Sequence, residues 1–464
     1  MREIEVVIIG AGPGGLGAGL AAASAGAQVV LIDEYPILGG HYYKRVPDAF
    51  RLKTLRAEGE EYAEGLALVD QVKAAHIEVL SSALVWSVYR DGVVGVYRGK
   101  KVEELKAQCI ILAPGAQEAP VAFPGWTLPG VMMGGAAQAL MITQRILPGR
   151  RAVLAGVGPL QLKVASQLVA AGASVVGILE ASSTPPVSME NALHSLGHWA
   201  KMRQGLKYWL ALKKGRVPYL HSHVPVRALG RDRLEGVVIA EVDSDWKVRP
   251  GTERTLEADL LCLSYGFVPA GQLPRMLACR QSYDAGAGGW VTWHDADQAT
   301  STPGIYVAGE VGGIGGAEVA LEEGRIAGWA AARSLGHGQA GTGEEAPCRK
   351  RLAHAREFAK VTASMMQLKP AIADLATPDT ILCRCENVTA RQVTAALDAD
   401  PDFTVRGVKI HTRAGMGPCQ GRICSHLITR LIAGRTGKTL EEIPGDTPQV
   451  PIKPVPLRAL LGRE

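Results

Sequence analysis

The sequence predicts an α/β chain of two nested Rossmann-like dinucleotide-binding folds, closed by a small cysteine-bearing unit. Three observations carry that prediction: an apolar run ending in Gly10-Ala11-Gly12-Pro13-Gly14-Gly15, a later run ending in Gly156-Val157-Gly158, and Cys383, Cys385, Cys419 and Cys424 gathered near the C-terminus. The chain has 464 residues, room for roughly three domains at about 150 each. Hydrophobic residues make up 47% and charged residues 20%, the balance of a globular protein, which excludes disorder and fibres.

Residues 4–9 (IEVVII) read as a strand and LGAGLAAASAG as the helix after the glycines. Gly10 permits the tight turn, Gly12 lets the backbone approach a pyrophosphate, Gly15 lets helix pack on strand, and Gly14 lies in the same cofactor loop. The helix N-terminus then faces the anion. A second strand, VVLI at 29–32, ends in Asp33-Glu34, where a ribose-binding acid belongs. Such an acid repels a 2′-phosphate, so the expected nucleotide lacks one.

The pattern returns at 151–180, where AVLAG, Gly156, Gly158, a helical LQLKVASQLVAAG and the strand SVVGILE end in Glu180. Gln161 stands where a third glycine or alanine usually permits close packing, which weakens this second motif. Glu180 suits an adenosine ribose, so NAD or a structural adenine nucleotide such as ATP is one reading, and an inherited but closed pocket is the other. Residues 301–330 give a further strand, glycine turn and long helix, read as the first fold resuming. The expected domains are 1–118 with 261–335, then 119–260, a linker and helix at 336–378, the cysteine domain at 379–432, and an extended arm at 433–464.

Two close cysteine pairs bind either zinc or an iron-sulfur cluster. The Cys383-Arg-Cys385 spacing is unlike the usual zinc knuckle and leans to iron. No cysteine precedes Cys109 and no CxxC occurs, which argues against a disulfide reductase. Cys109, Cys262 and Cys279 read as core. The net charge of +5 is too dilute for nucleic-acid binding. No signal peptide and no membrane-length apolar run is evident, so the cytoplasm is the expected location. The basic, Trp-rich stretch 199–216 reads first as a helix packed on the second fold, and second as a contact with a partner or the inner face of the cell membrane.

GAGPGG at 10–15, LGGHYYKR at 38–45, IILAPGA at 110–116 and GIYVAGE at 304–310 together resemble the two-dinucleotide-domain flavoproteins. The resemblance implies FAD in the first fold, held by the first glycine loop with Asp33, Glu34, Gly40, His41, Ala113, Gly115, Gly309 and Glu310. Gly316 and Ala317 would open the helix aimed at the isoalloxazine. Pro114, Glu310 and His41 depart from the threonine, aspartate and glutamine common there. Gly156, Gly158 and Glu180 would serve the second nucleotide. CRCENVT at 383–389 and TRAGMGPCQGRIC at 412–424 resemble the bacterioferritin-associated ferredoxin-like domain, which implies a [2Fe-2S] cluster on Cys383, Cys385, Cys419 and Cys424.

In this order, and with FPGWTLPGVMMGGAAQAL at 123–140, the motifs resemble the α-type subunits of heteromeric bacterial amino-acid dehydrogenases, a group of opine oxidases, proline and hydroxyproline dehydrogenases and hydrogen cyanide synthase. That resemblance implies, as partner, an amine-oxidising flavoprotein β-type subunit, with a quinone-type acceptor. It also allows an FMN at a subunit interface and a small ferredoxin-like subunit. No catalytic base is apparent beside the flavin motifs. Two other readings compete: a self-sufficient NADH-dependent reductase, and a non-enzymatic scaffold holding zinc.

Overall fold

The computed structural model describes residues 1–43, 45–47, 50, 60–183, 197–338, 341–399 and 404–461. Lys44 of the LGGHYYKR segment, residues 339–340 of the linker and residues 462–464 of the arm lie outside them. The chain forms two compact units: Met1–Gln117 with Val268–Lys360 and Thr447–Glu464, and Glu118–Phe267 with Val361–Asp446.

In the first unit Ile77–Leu80, Val29–Ile32, Arg2–Ile9 and Lys101–Leu112 lie side by side in parallel, with Ile305–Val307 also parallel to Lys101–Leu112. Leu84–Val88 and Val93–Arg98 add an antiparallel meander and complete a seven-stranded sheet. Arg2–Ile9 is central and its last four residues are buried, which is why its sequence is a continuous apolar run and not an alternating one. Helix Pro13–Ser24 crosses helix Ala317–Ser334 on glycines. A Cβ on Gly324 would lie 2.0 Å from the Gly14 carbonyl oxygen, and one on Gly328 2.3 Å from that of Ala18. The small-residue composition of both helices is thus a packing requirement. The C-terminal segment belongs to this unit too: Ile452 is buried, its N–H donates to the Trp86 carbonyl at 3.0 Å, and Lys453 pairs with Glu34.

The second unit repeats the plan. Tyr219–His221, Ser174–Glu180, Arg151–Gly156, Leu260–Ser264 and Val131–Met133 make a five-stranded parallel sheet. His223–Leu229, Gly236–Glu241 and Arg254–Glu257 form its antiparallel meander. Here the structure departs from the boundary drawn at 261, because Leu260–Ser264 pairs with Arg151–Gly156 and completes the second sheet.

The cysteine-bearing region does not stand alone either. Its helices Ala390–Ala399, Val405–Thr412 and Cys424–Thr436 share one core with the second fold, with Leu382, Val393, Val408 and Ile428 in the same cluster as Phe123, Trp126, Val153 and Leu261. A unit this small has a marginal core of its own, and the shared cluster enlarges it. Helix Cys424–Thr436 also runs past 432 and ends on Gly437 at φ +70°, where a residue without Cβ is favoured.

Candidate functional site

The first glycine loop has the geometry of an open anion cradle. Gly10, at φ +105°, donates its N–H to the Ile32 carbonyl at 2.8 Å, and a Cβ there would meet the Ala113 oxygen at 2.2 Å. One on Gly15 would meet the Gly10 oxygen at 1.7 Å. These two glycines are demanded by the protein itself. Gly12 is different, because a Cβ on it would find only Gly40 Cα at 3.9 Å, and one on Gly115 or Gly316 would find no atom within 4 Å. That bare space beside a helix N-terminus is where a pyrophosphate fits.

Asp33 closes the loop. Its Oδ2 accepts the Ala11 N–H at 2.6 Å and its Oδ1 the Tyr35 N–H at 2.8 Å. Burial raises its pKa against the lowering effect of those two bonds. Each carboxylate oxygen keeps a second lone pair, enough for the two hydroxyls of a ribose. Glu34, one residue on, is instead paired with Lys453. His41 sits edge-on to Tyr35, with ring centres 5.6 Å apart.

Glu310 follows the turn at Gly309, and its carboxylate accepts the N–H of Gly316, the N-cap of helix Ala317–Ser334. Burial, and more weakly the nearby Glu323, push the Glu310 pKa up to about 7. The Gly309 N–H donates to Glu323 Oε2 at 3.0 Å, and Arg356 donates to Glu323 Oε1 at 2.8 Å. The turn that presents Glu310 is therefore braced by a buried carboxylate from the following helix. Sequence reasoning missed Glu323, Arg356 and Lys453, because none lies in a motif.

The second glycine loop is filled from within. Gly156 is required by the Ser264 oxygen, 1.9 Å from where its Cβ would be. Gln161 is fully buried and donates Nε2–H to Glu180 Oε2 at 2.6 Å. The Tyr219 hydroxyl donates to the same oxygen at 3.1 Å and the Ser182 N–H to Oε1 at 3.2 Å. Both lone pairs of Oε2 are thus taken by the protein. Burial raises the Glu180 pKa. At Gly158 a Cβ would meet Met366 Cγ at 2.9 Å.

The four thiols meet as two pairs, Cys383 with Cys424 and Cys385 with Cys419. Cys424 donates its S–H to Cys383, whose sulfur also accepts N–H bonds from Gly415, Glu386 and Cys385, and these together lower the Cys383 pKa to about 5. Sharing its proton drives the Cys424 pKa up. Gly417 passes so close to Cys385 that a Cβ would lie 2.2 Å from the Cys385 Cβ. Among the described residues no three His, Cys, Asp or Glu side chains converge as a site for one metal ion. Two thiol pairs under backbone N–H groups suit a binuclear cluster better than a single tetrahedral zinc. Trp126 supports the loop from below: it is buried, its indole N–H donates to the Ile381 carbonyl at 2.7 Å, and the Arg384 guanidinium lies 5.3 Å over its ring. The remaining cysteines, Cys109, Cys262, Cys279 and Cys348, are all buried free thiols.

Fold and site together define a flavoprotein oxidoreductase with a C-terminal [2Fe-2S] domain. The chain belongs to the pyridine nucleotide-disulphide oxidoreductase family, whose profile matches residues 4–336, and the BFD-like [2Fe-2S] binding domain matches residues 381–434. It is similar to the A subunit of opine oxidase from Rhizobium meliloti (strain 1021), with 33% identity over 98% of this chain and 97% of that protein. It is also similar to hydrogen cyanide synthase subunit HcnB of Pseudomonas aeruginosa, with 31% identity over 100% of both. The crystal structure of L-proline dehydrogenase from P. horikoshii shares the fold, with a TM-score of 0.72 and 20% identity over 99% of this chain and 79% of that one. No helix of the described residues is long and apolar enough to cross a membrane.

Proposed function

We propose that this chain is the FAD- and [2Fe-2S]-carrying electron-transfer subunit of a heteromeric amino-acid or opine dehydrogenase. A partner flavoprotein subunit oxidises the amine, and electrons leave to a quinone-type acceptor. FAD, when bound, takes electrons in pairs, and a [2Fe-2S] cluster passes them singly. Asp33, Gly12, Gly40, Gly115 and Glu310 hold the dinucleotide, and Cys383, Cys385, Cys419 and Cys424 hold the cluster.

The observation that supports this division of labour is Glu180. A self-sufficient NADH reductase needs that carboxylate for the ribose of its hydride donor, and here Gln161, Tyr219 and Ser182 occupy it. With no CxxC in the chain, reducing equivalents enter the flavin neither from a bound NADH nor through a dithiol. They come from another subunit.

An anaerobic visible spectrum of the purified chain tests this reading. Flavin and cluster bands should be present, unmoved by stoichiometric NADH or by free amino acids and opines, and bleached by an opine or amino acid once the partner subunit is added. Bleaching by NADH alone within seconds establishes the reductase instead. Cys419→Ser should remove the iron and leave the flavin; loss of both overturns the assignment of the two cofactors to separate sites.

A further inference from the structure

The helix Trp199–Lys214 is not used by either site, and its surface is unusual. Only one of its residues, Leu212, is buried, and it enters a core cluster with Val164, Leu168 and Ile178. Its exposed side carries Trp199 (66% exposed), Met202 (42%), Leu206 (54%), Trp209 (45%) and Leu210 (51%). Their spacing of three and four residues puts all five on a single stripe. Lys207 and Lys214, seven apart, line one flank of that stripe, and Lys213 Nζ lies 4.6 Å over the Trp209 ring. From Trp199 to Arg216 there is no acidic residue, against Lys201, Arg203, Lys207, Lys213, Lys214 and Arg216.

We propose that this helix docks the protein on an anionic lipid surface. Its outward stripe of two tryptophans with leucine and methionine enters the headgroup boundary, and its lysines pair with lipid phosphates. Two features favour lipid over a protein partner. The cations are mostly lysine, in which protein interfaces are depleted while arginine is enriched, and which lipid-facing helices use to snorkel toward phosphate. The apolar surface is the convex stripe of one helix with cations along its flank, the pattern of helices that lie in a membrane plane. A chain that passes electrons to a quinone gains from lying on the bilayer, but the proposal rests on the surface of the helix and its test reads binding alone.

The full-length flavin-loaded chain is to be sedimented with vesicles of phosphatidylcholine, and with vesicles in which part of it is replaced by phosphatidylglycerol. Binding to the anionic vesicles only, weakened by added salt, is the expected result. Lys207→Gln with Lys214→Gln should weaken partitioning roughly thirtyfold. Leu206→Gln with Trp209→Gln should weaken it at least about tenfold. Unchanged circular dichroism and flavin content in both pairs show that the fold is intact. No binding of the parent chain to anionic vesicles overturns the proposal, and so does equal binding by the parent and both variants. If the variants bind vesicles normally but fail to assemble with the partner subunit, the helix is a protein interface instead. Loss of NADH-independent electron transfer with vesicle binding intact would count against the functional reading and not against this one.

Discussion

The two dinucleotide folds of this chain have the same plan and opposite interiors. Each has a sheet with a parallel core, a glycine turn at the end of its central strand, a helix after it, and an acid at the end of the next strand. In the first fold the acid, Asp33, spends one lone pair of each oxygen on the backbone, and the space above Gly12 is bare. In the second, Glu180 is held by Gln161, Tyr219 and Ser182, and Gly158 faces Met366. A duplicated binding fold can keep its backbone and change its use through two or three side chains, provided those side chains satisfy the polar groups the ligand once satisfied.

The sharpest way to break that comparison is to add a methyl group to one glycine of each loop, Gly15 of the first and Gly158 of the second. Gly15→Ala places a Cβ against a carbonyl oxygen of its own turn, 1.7 Å away, and no flexible neighbour can yield. It should cost about 3 kcal/mol or more and weaken FAD binding by more than about a hundredfold, read by flavin content after gel filtration. Gly158→Ala meets Met366 Cγ at 2.9 Å and Sδ at 3.5 Å, atoms of a flexible side chain that can turn aside, so its cost is mainly the left-handed backbone, about 1 kcal/mol. Equal loss of flavin in the two variants would mean that the second loop is as necessary to FAD binding as the first.

Glu310 sharpens the first site through pH. Its folded pKa, about 7, lies above the ordinary 4.5, so the folded chain holds a proton that the unfolded chain has released between those values. Its contribution to stability is full below about pH 4.5 and is lost as pH rises through about 7. The flavin-free Glu310→Gln variant should match the parent at pH 4.5 and exceed it by up to ~3 kcal/mol at pH 8. Parallel denaturation profiles across that range would mean that Glu310 carries no raised pKa in the folded chain.

Gln161→Gly addresses the second fold. Removing the donor uncovers one lone pair of a buried carboxylate, a loss of about 2 kcal/mol, and opens the space a nucleotide ribose needs. Calorimetry with NADH should detect no binding to the parent and weak binding to the variant. Tight binding to the parent would mean that Gln161 and Tyr219 swing away from Glu180.

How much of this was legible in the sequence follows the distance between partners. Gly10, Gly12, Gly15 and Asp33 lie within one strand-turn-helix-strand, so spacing alone places them. The four cysteines were legible as a group, but their pairing, Cys383 with Cys424 and Cys385 with Cys419, crosses the gap between the two sequence pairs and does not follow from their spacing. Gln161 was visible as a departure from the motif, but its bond to Glu180 depends on two strands and a helix coming into register. Lys453 on Glu34 and Met366 at Gly158 are long-range contacts between segments with no periodicity in common, and Glu323, though only 14 residues from Gly309, lies in no motif. The shared core of the second fold and the cysteine region was hidden too, because apolar residues at helical spacing do not reveal which surface they cover.

Trp126 was visible in the sequence without its role. It lies in the FPGWTLPG segment, and the structure puts its ring in the core beneath the first cysteine pair. Trp126→Phe keeps most of the packing and removes the indole N–H, so the Ile381 carbonyl two residues before Cys383 loses its donor. The stability cost should be small, about 1 kcal/mol. The informative readout is iron release to a chelator, which should quicken while flavin content stays unchanged, because every residue assigned to FAD belongs to the other compact unit. Unchanged iron release would mean that backbone N–H groups from Gly415, Glu386 and Cys385 hold the cysteine loop in place without help from the second fold.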